Sequence, residues 1–401
     1  MNMAWSTRWF ARDPGDSGSC QGVPAGRRSS LPALFVAFLL AACTGTIEVR
    51  PPSLLIVGFG EAGAGEVGLI DVRLLEAGVP VEERLVVARR PLPEGGRPVA
   101  FDVVDRAGDR AELAVASRTV DDVYHLSFFD MGSIDVDDPG DFAEIAGRRV
   151  NLTEVAEALC PKRLAVSRDG RLLAAINDEA VCPDSDALMI VDLDTQEVTA
   201  IDVAPTGPVI RSGLYLEQES GLLYYLAEKA AAVNVRVIDP ITQSDDELVD
   251  VPFATGQEAM DLGPVRDALL VLYNNAFVPI RQFETDASVG EEVGTVANSR
   301  RLLNDDFRSL ASVLLHSTSQ LAFHADVEDE DEVRSSTPGV TGGTLDSVNQ
   351  FAYLVASGRV FVFDPLTPDL PVRSVGLAQG ELDQPAFVTW VLAEFEEEEA
   401  F

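Results

Sequence analysis

"CPKRLAVSRDGRLLAAINDEAVCPDSDALMIVDLDTQEVTAIDV", residues Cys160 to Val203, carries four short apolar runs with turn residues between them. Arg163–Val166 leads into Asp169-Gly170, a dipeptide that supplies the positive φ of a tight hairpin. Leu172–Ile176 returns, and a polar loop holding Cys182 follows. Ala187–Asp192 forms the third run, and Asp194-Thr195 turns the chain into Val198–Val203. Runs this short, bounded by Asp, Asn, Ser and Gly, have the period of strands rather than of helices. The stretch predicts one antiparallel sheet of four strands.

The same unit recurs along the chain. Apolar strands end in aspartate in "VGLID" at Asp71, "LSFFD" at Asp130, "MIVD" at Asp192, "VRVID" at Asp239 and "VFVFD" at Asp364. "VPIRQFETD" ending at Asp286 fits the same series, and the long gap after it has room for one further unit. A second clear unit runs from Gly213 to Gln243 with Ser220-Gly221 at its turn, and Phe351–Thr367 supplies the second and third strands of another. Repeats of roughly 40 to 50 residues with several strands each are the signature of β-propeller blades. The chain is therefore read as all-β, a seven-bladed propeller of four-stranded antiparallel blades, with six as the alternative count. "PAFVTWVLAEF", Pro385 to Phe395, is a strand with no partner after it, as expected if the last strand pairs with the first blade and closes the ring.

The wording of the repeat, "P-K-R-L-A-V-S-R-D-G-R-L-L-A-A-I" followed by "M-I-V-D-L-D-T", resembles the YVTN and WD40-like bacterial propellers. The resemblance is closest over residues 160–250, extends to 98–131, 258–286 and 349–376, and is weakest between 300 and 335. It implies an architecture and no single activity.

Upstream lies a different kind of segment. Arg27 and Arg28 flank the apolar run Leu31–Leu40, too short to span a bilayer but suited to a signal-peptide core. Leu40-Ala41-Ala42-Cys43 resembles a bacterial lipobox, with Cys43 as the lipidated residue. We thus expect residues 1–42 as signal peptide (1–22 as a mis-assigned start, with Val23 the start codon), 43–52 as a lipidated tether, 53–395 as the propeller and 396–401 as an acidic tail. Thr44 after the cysteine, rather than Asp, resembles sorting to the outer membrane of a Gram-negative bacterium, facing periplasm or exterior. In such an oxidising compartment Cys160 and Cys182 are expected to form a disulfide. Cys160 precedes the first strand of its blade and Cys182 lies between the second and third, so chain direction alone places both on one face. "NLTEVAEALC" before them reads as a short helix over Asn151–Leu159, with Asn151 and Glu154 at capping-box spacing.

Acids outnumber bases 66 to 30, for a net charge of −36. Such a surface repels nucleic acid and anionic headgroups. Gly58, Gly60 and Gly63 spell G-x-G-x-x-G after a strand, with Glu82 near the place of a ribose-binding acid. A dinucleotide fold needs a helix from Gly63, yet Gly65 and Gly68 fall inside it, each costing about 1 kcal/mol relative to alanine. A hairpin, Leu54–Gly58 and Val67–Asp71 around a Gly60–Gly65 loop, is preferred, and no cofactor is expected. Asp135, Asp137, Asp138 and Asp141 resemble a calcium loop but lack the terminal Glu, so a solvated loop is expected, with opportunistic Ca2+ as the alternative. "DVEDEDE", Asp326 to Glu332, reads as a charged loop or a blunted edge. His125 is read as packed or as a rim residue rather than a ligand. His316 and His324 could meet across a hairpin at Ser317–Gln320, though a two-histidine metal site there has no defined carboxylates to complete it.

No catalytic set stands out. The expectation is a non-catalytic binding or scaffold module for an envelope protein or small ligand, acting at the face with the Cys160–Cys182 staple. The alternative is a lactonase or hydrolase-like enzyme using a divalent cation held by carboxylates in the channel.

Overall fold

Most second strands of this protein are apolar at successive positions, which in a half-exposed sheet would leave one greasy face in water. Ala268–Tyr273 is buried at every residue, and Leu172–Asn177 and Phe351–Ala356 at every residue but the first. Both faces of each such sheet must therefore be covered, and the computed structural model shows how. It describes residues 53–71, 86–105, 111–132, 134, 142–156, 159–182, 187–201, 209–228, 232–242, 244–304, 312–328, 332–337, 339–348, 351–356, 359–364, 371–376 and 386–392.

These residues form seven antiparallel sheets around a ring. Blade 1 holds Ser53–Phe59, Glu66–Asp71 and Val86–Pro91, with Phe387–Leu392 as its inner strand. Blades 2 to 7 begin at Arg97, Pro161, Val209, Ala259, Ser299 and Val340, and each runs through four strands in sequence order. Blades 2 and 5 carry one additional short strand each, Val150–Asn151 and Val293–Gly294. The seven-blade count holds, and the six-blade alternative does not.

The period-two alternation of each strand is divided between two neighbours. In blade 2, Leu113 and Val115 pack towards blade 1 while Ala114 and Ala116 pack towards blade 3. In blade 4, Leu223 and Tyr225 face blade 3 while Tyr224 and Leu226 face blade 5. Seven apolar clusters result, one at each junction between adjacent blades. At about 25 cal/mol per Å² of buried apolar surface, these junctions are the main stabilising term.

The first strands stand innermost and pack on one another around the axis. Phe387–Leu392 pairs antiparallel with Ser53–Gly58, from Ser53 opposite Leu392 to Gly58 opposite Phe387, which is the closure expected from sequence. Gly58 permits it, since a Cβ there would lie 2.1 Å from the Phe387 ring. The G-x-G-x-x-G stretch is a hairpin. Gly60, at φ +95, makes the turn, and Leu54–Asp71 pairs with itself in regular register with no helix after Gly63. Glu82 lies outside the described residues.

The recurring aspartates have a local reason. Asp192 Oδ1 accepts the N–H groups of Asp194 and Thr195, and Asp239 Oδ1 accepts those of Ile241 and Thr242. A short acid at the end of the third strand thus holds the corner into the fourth. The Thr242 hydroxyl and the N–H groups of Ile241 and Thr242 lower the Asp239 carboxyl pKa, and the N–H groups of Thr195 and Asp194 lower that of Asp192. Asp286 departs from the series: the third strand of blade 5 ends at Arg281, and Asp286 lies in the turn after it. The gap following it holds blade 6, Ser299–Leu302, Val313–Ser317, Gln320–His324 and Glu332–Ser336.

The disulfide is present, Cys160 to Cys182 with Cα atoms 6.4 Å apart. The helix before it is shorter than expected, one turn at Leu152–Val155. Asn151 does cap it, accepting from Thr153 and Glu154 N–H, and its amide donates to Glu154. Ala156 is already extended, because Leu159 and Cys160 are buried in the blade 2–3 cluster and Pro161 starts a strand. A residue before proline is itself biased to extended backbone. Among the described residues no helix is long and apolar enough to cross a membrane. The expected signal peptide, Cys43 and the tether, as well as the acidic tail, lie outside the described residues.

Trp390 on the closing strand is fully buried in the blade 7–1 cluster, and its indole N–H donates to Leu345 O at 2.7 Å. Trp390→Ala is expected to lower unfolding free energy by about 3–5 kcal/mol in urea titration. A loss under 1 kcal/mol would mean that the ring does not depend on this strand.

Candidate functional site

Seven first strands converging on one axis leave a channel, and what lines it depends on which residues begin those strands. At the starts of the strands lies a cavity of about 450 Å³. Farther along the strands lies a narrower one of about 190 Å³, and Phe101, Arg163 and Arg301 border both. The wider cavity opens on the face that carries Cys160 and Cys182, because Lys162 and Arg163 follow Cys160 directly into the first strand of blade 3.

Four cations meet in this mouth: Lys162 and Arg163 from blade 3, Arg300 and Arg301 from blade 6. His316, on the second strand of blade 6 and paired in register with Arg301, joins them. Phe101, Phe387 and Met260 supply an apolar wall, with the Phe101 and Phe387 rings stacked at 4.2 Å. In a chain of net charge −36, a basic cluster of this kind is not a chance surface.

The acids of the channel are committed elsewhere. Asp261, 3% exposed, ion-pairs with Arg163 from across the channel. Its two carboxyl oxygens also accept the N–H groups of Leu262 and Leu302, each at 3.0 Å, tying blade 5 to blade 6. Asp102 Oδ2 accepts Val166 N–H at 2.7 Å and ties blade 2 to blade 3. Asp261 neutralises Arg163, and among the described residues no carboxylate pairs with Arg301. The like charge of Arg163 and the loss of solvent together pull the Arg301 pKa down to about 9, against the attraction of Asp261. A cation held in this way costs stability, and perturbed groups in a cleft mark functional sites.

His316 is 4% exposed. Its Nδ1 lies 3.0 Å from Ser317 O, so Nδ1 carries the proton and Nε2 is left as an acceptor. Nε2 is buried and has no hydrogen-bond partner among the described residues. Burial pushes the His316 pKa down to about 4, helped by the charges of Arg301 and Arg163 and opposed by the Ser317 carbonyl and Asp261.

The other sequence candidates are placed differently. His316 and His324 do not meet. In their hairpin His316 pairs with Leu321 and His324 with Val313, so they sit at opposite ends, and the two-histidine metal site is set aside. His324 contacts Thr295 Oγ1 at 3.1 Å and Glu332 at 3.2 Å, against the edge of the Phe277 ring. Glu332 is accordingly no loop acid but a largely covered residue between blades 5 and 6. Burial opposes its charge, yet hydrogen bonds from His324, Thr295 and Arg334 hold its pKa at about 2. His125 is packed, 8% exposed, in the third strand of blade 2. Asp135, Asp137, Asp138 and Asp141 lie outside the described residues. Among the described residues no group of three or more His, Cys, Asp or Glu is placed to hold a metal ion.

The four mouth cations were missed in the sequence reading. Their signal was two adjacent basic pairs, Lys162-Arg163 and Arg300-Arg301, each at the start of a first strand. It becomes visible only when the register of blade 6 is known.

No family model matches the chain, and no curated protein matches it. Solved structures do. A functionally unknown protein from Desulfotomaculum acetoxidans superposes with a TM-score of 0.57 at 12% identity, over 85% of this chain and 99% of that one. A putative 6-phosphogluconolactonase from Bacteroides fragilis gives 0.57 at 8% identity, over 86% and 99%. A protein from Lactobacillus plantarum gives 0.54 at 10%, over 85% and 99%. At such identities the likeness is one of fold alone.

The His316 pKa carries a sign for stability. With a folded value of about 4 below the ordinary 6.5, the unfolded chain binds more protons between those limits, so stability falls as pH drops from 6.5 to 4. His316→Gln should remove up to about 3 kcal/mol of that fall in urea unfolding at pH 7 and pH 4. Equal pH dependence in both proteins would place His316 in solvent.

Proposed function

We propose that the chain is an outer-membrane-anchored envelope lipoprotein whose propeller is a non-catalytic binding module, taking a small anionic ligand at the channel mouth on the disulfide face. One observation carries the binding role: Arg301, which no described carboxylate ion-pairs, held beside Arg163 and opposite His316 in a cavity large enough for a small molecule. Repulsion from Arg163 disfavours the charged Arg301 where it stands, which suits a position that an anion would occupy. An incoming anion would offset the repulsion between the two guanidinium groups and gain charge-assisted hydrogen bonds. The acidic exterior does not prevent this, because at physiological salt charges beyond about 8 Å are largely screened.

The anchoring half of the proposal rests on Leu40-Ala41-Ala42-Cys43 and on the paired Cys160 and Cys182, which suit an oxidising compartment. Although one structural neighbour is named a putative 6-phosphogluconolactonase, a cation-dependent lactonase or hydrolase has less support here. It needs channel carboxylates free to hold a metal, while Asp102 and Asp261 already accept backbone N–H groups.

Calorimetry of the purified protein against small oxyanions tests the site. Arg301→Met should weaken binding about 10- to 100-fold, the worth of a hydrogen bond to a charged group, and leave stability unchanged or higher. Divalent-metal-dependent lactone turnover that Arg301→Met leaves intact would overturn the binding role. For the anchor, Cys43→Ala is expected to move the protein from the membrane pellet to the soluble fraction of lysed cells. Retention in the pellet would remove the lipoprotein half.

A further inference from the structure

Arginines by themselves do not choose among anions. The choice lies with a side-chain atom of the mouth that accepts rather than donates, His316 Nε2. The His316 side chain lines the cavity beside Arg301, and its Nε2 is buried with no hydrogen-bond partner among the described residues. Because Nδ1 faces the Ser317 carbonyl at 3.0 Å, Nε2 presents a lone pair. A fully deprotonated oxyanion set against that lone pair meets repulsion on one side and attraction from the guanidinium groups on the other. An anion that carries its own O–H satisfies both.

Resting on the anion-binding role proposed above, we propose that the mouth selects oxyanions bearing a hydroxyl group, the anionic oxygens on Arg163 and Arg301 and the O–H donated to His316 Nε2. Hydrogen phosphate is the smallest member of this class, and a short hydroxycarboxylate is its organic form. The depressed basicity of His316 keeps the ring neutral at neutral pH, so Nε2 stays an acceptor rather than becoming a third cation. The cavity of about 450 Å³ is far larger than one phosphate group, and the wall of Phe101, Met260 and Phe387 can face a carbon skeleton. Sites that hydrogen-bond a ligand hydroxyl reject the analogue lacking it, because the buried partner is then left unsatisfied.

Two matched pairs of probes test this by calorimetry on the wild-type protein at pH 8 and low salt. Phosphate against sulfate compares tetrahedral dianions with and without an O–H. Lactate against propionate compares carboxylates with and without a hydroxyl. In at least one pair the hydroxylated member is expected to bind about tenfold tighter or more. The pair that discriminates identifies the source, phosphate or organic acid. His316→Phe, which keeps a planar ring and removes the acceptor, should bring the two members of that pair within about twofold, while Arg301→Met weakens both together. If both members bind equally and Arg301→Met still weakens them, hydroxyl selection is wrong and the anion site stands. If none of the four binds, the anion site itself is wrong. Should the discrimination survive in His316→Phe, the hydroxyl is read by another group and the assignment to His316 fails.

Discussion

Every sheet in this molecule needs a neighbour on each face, and a row of such sheets has that only if its two ends meet. The antiparallel pairing of Phe387–Leu392 with Ser53–Gly58 supplies the meeting. One short strand feeds two junctions: Phe387 packs into the blade 1–2 cluster, while Val388 and Trp390 pack into the blade 7–1 cluster. Without it, blades 1, 2 and 7 would each expose apolar surface, and blade 1 would present an unpaired edge to other chains. The close approach of Phe387 to Gly58 shows how little room the closure leaves.

Closing the ring also produces the polar centre. First strands turned towards one axis bring their starts together, and whatever residues occupy those positions become neighbours irrespective of sequence distance. Asp261 joins blades 5 and 6 through Leu302 N–H and reaches Arg163 of blade 3. Asp102 joins blades 2 and 3 through Val166 N–H. These buried acids act first as clamps between strands. One of them balances one arginine, and the second arginine, Arg301, remains in excess. Excess positive charge in the channel of a strongly acidic protein is the electrostatic basis for the anion proposal.

The Cys160–Cys182 bridge stands beside this mouth rather than far from it. It closes a sequence separation of 22 residues, for which chain-entropy reasoning gives about 3 kcal/mol. Its position fixes the start of the blade 3 inner strand, and with it Lys162 and Arg163. Asn177 adds to the same restraint by accepting Cys160 N–H at 3.0 Å. A rigid frame of this kind is what a site built from side chains of separate blades requires.

The sequence by itself determined the strands, their corners and the order in which they stack. Alternation, Asp-Gly and Ser-Gly turns and the recurring terminal aspartate are local properties, each set by residues a few positions apart. The disulfide was legible for the same reason, since strand direction alone puts its cysteines on one face. Two local readings went too far. Asn151 gave a sound cap but could not reveal that burial of Leu159 and Cys160 ends the helix after one turn. Asp286 looked like a strand end although its strand stops at Arg281. The channel mouth was beyond the sequence altogether. Lys162-Arg163 and Arg300-Arg301 stand over a hundred residues apart on blades 3 and 6, and His316 looked like a partner for His324 until the hairpin register separated them. Only ring closure makes those residues neighbours, because their proximity is set by the angle between blades, and no stretch of sequence encodes that angle alone.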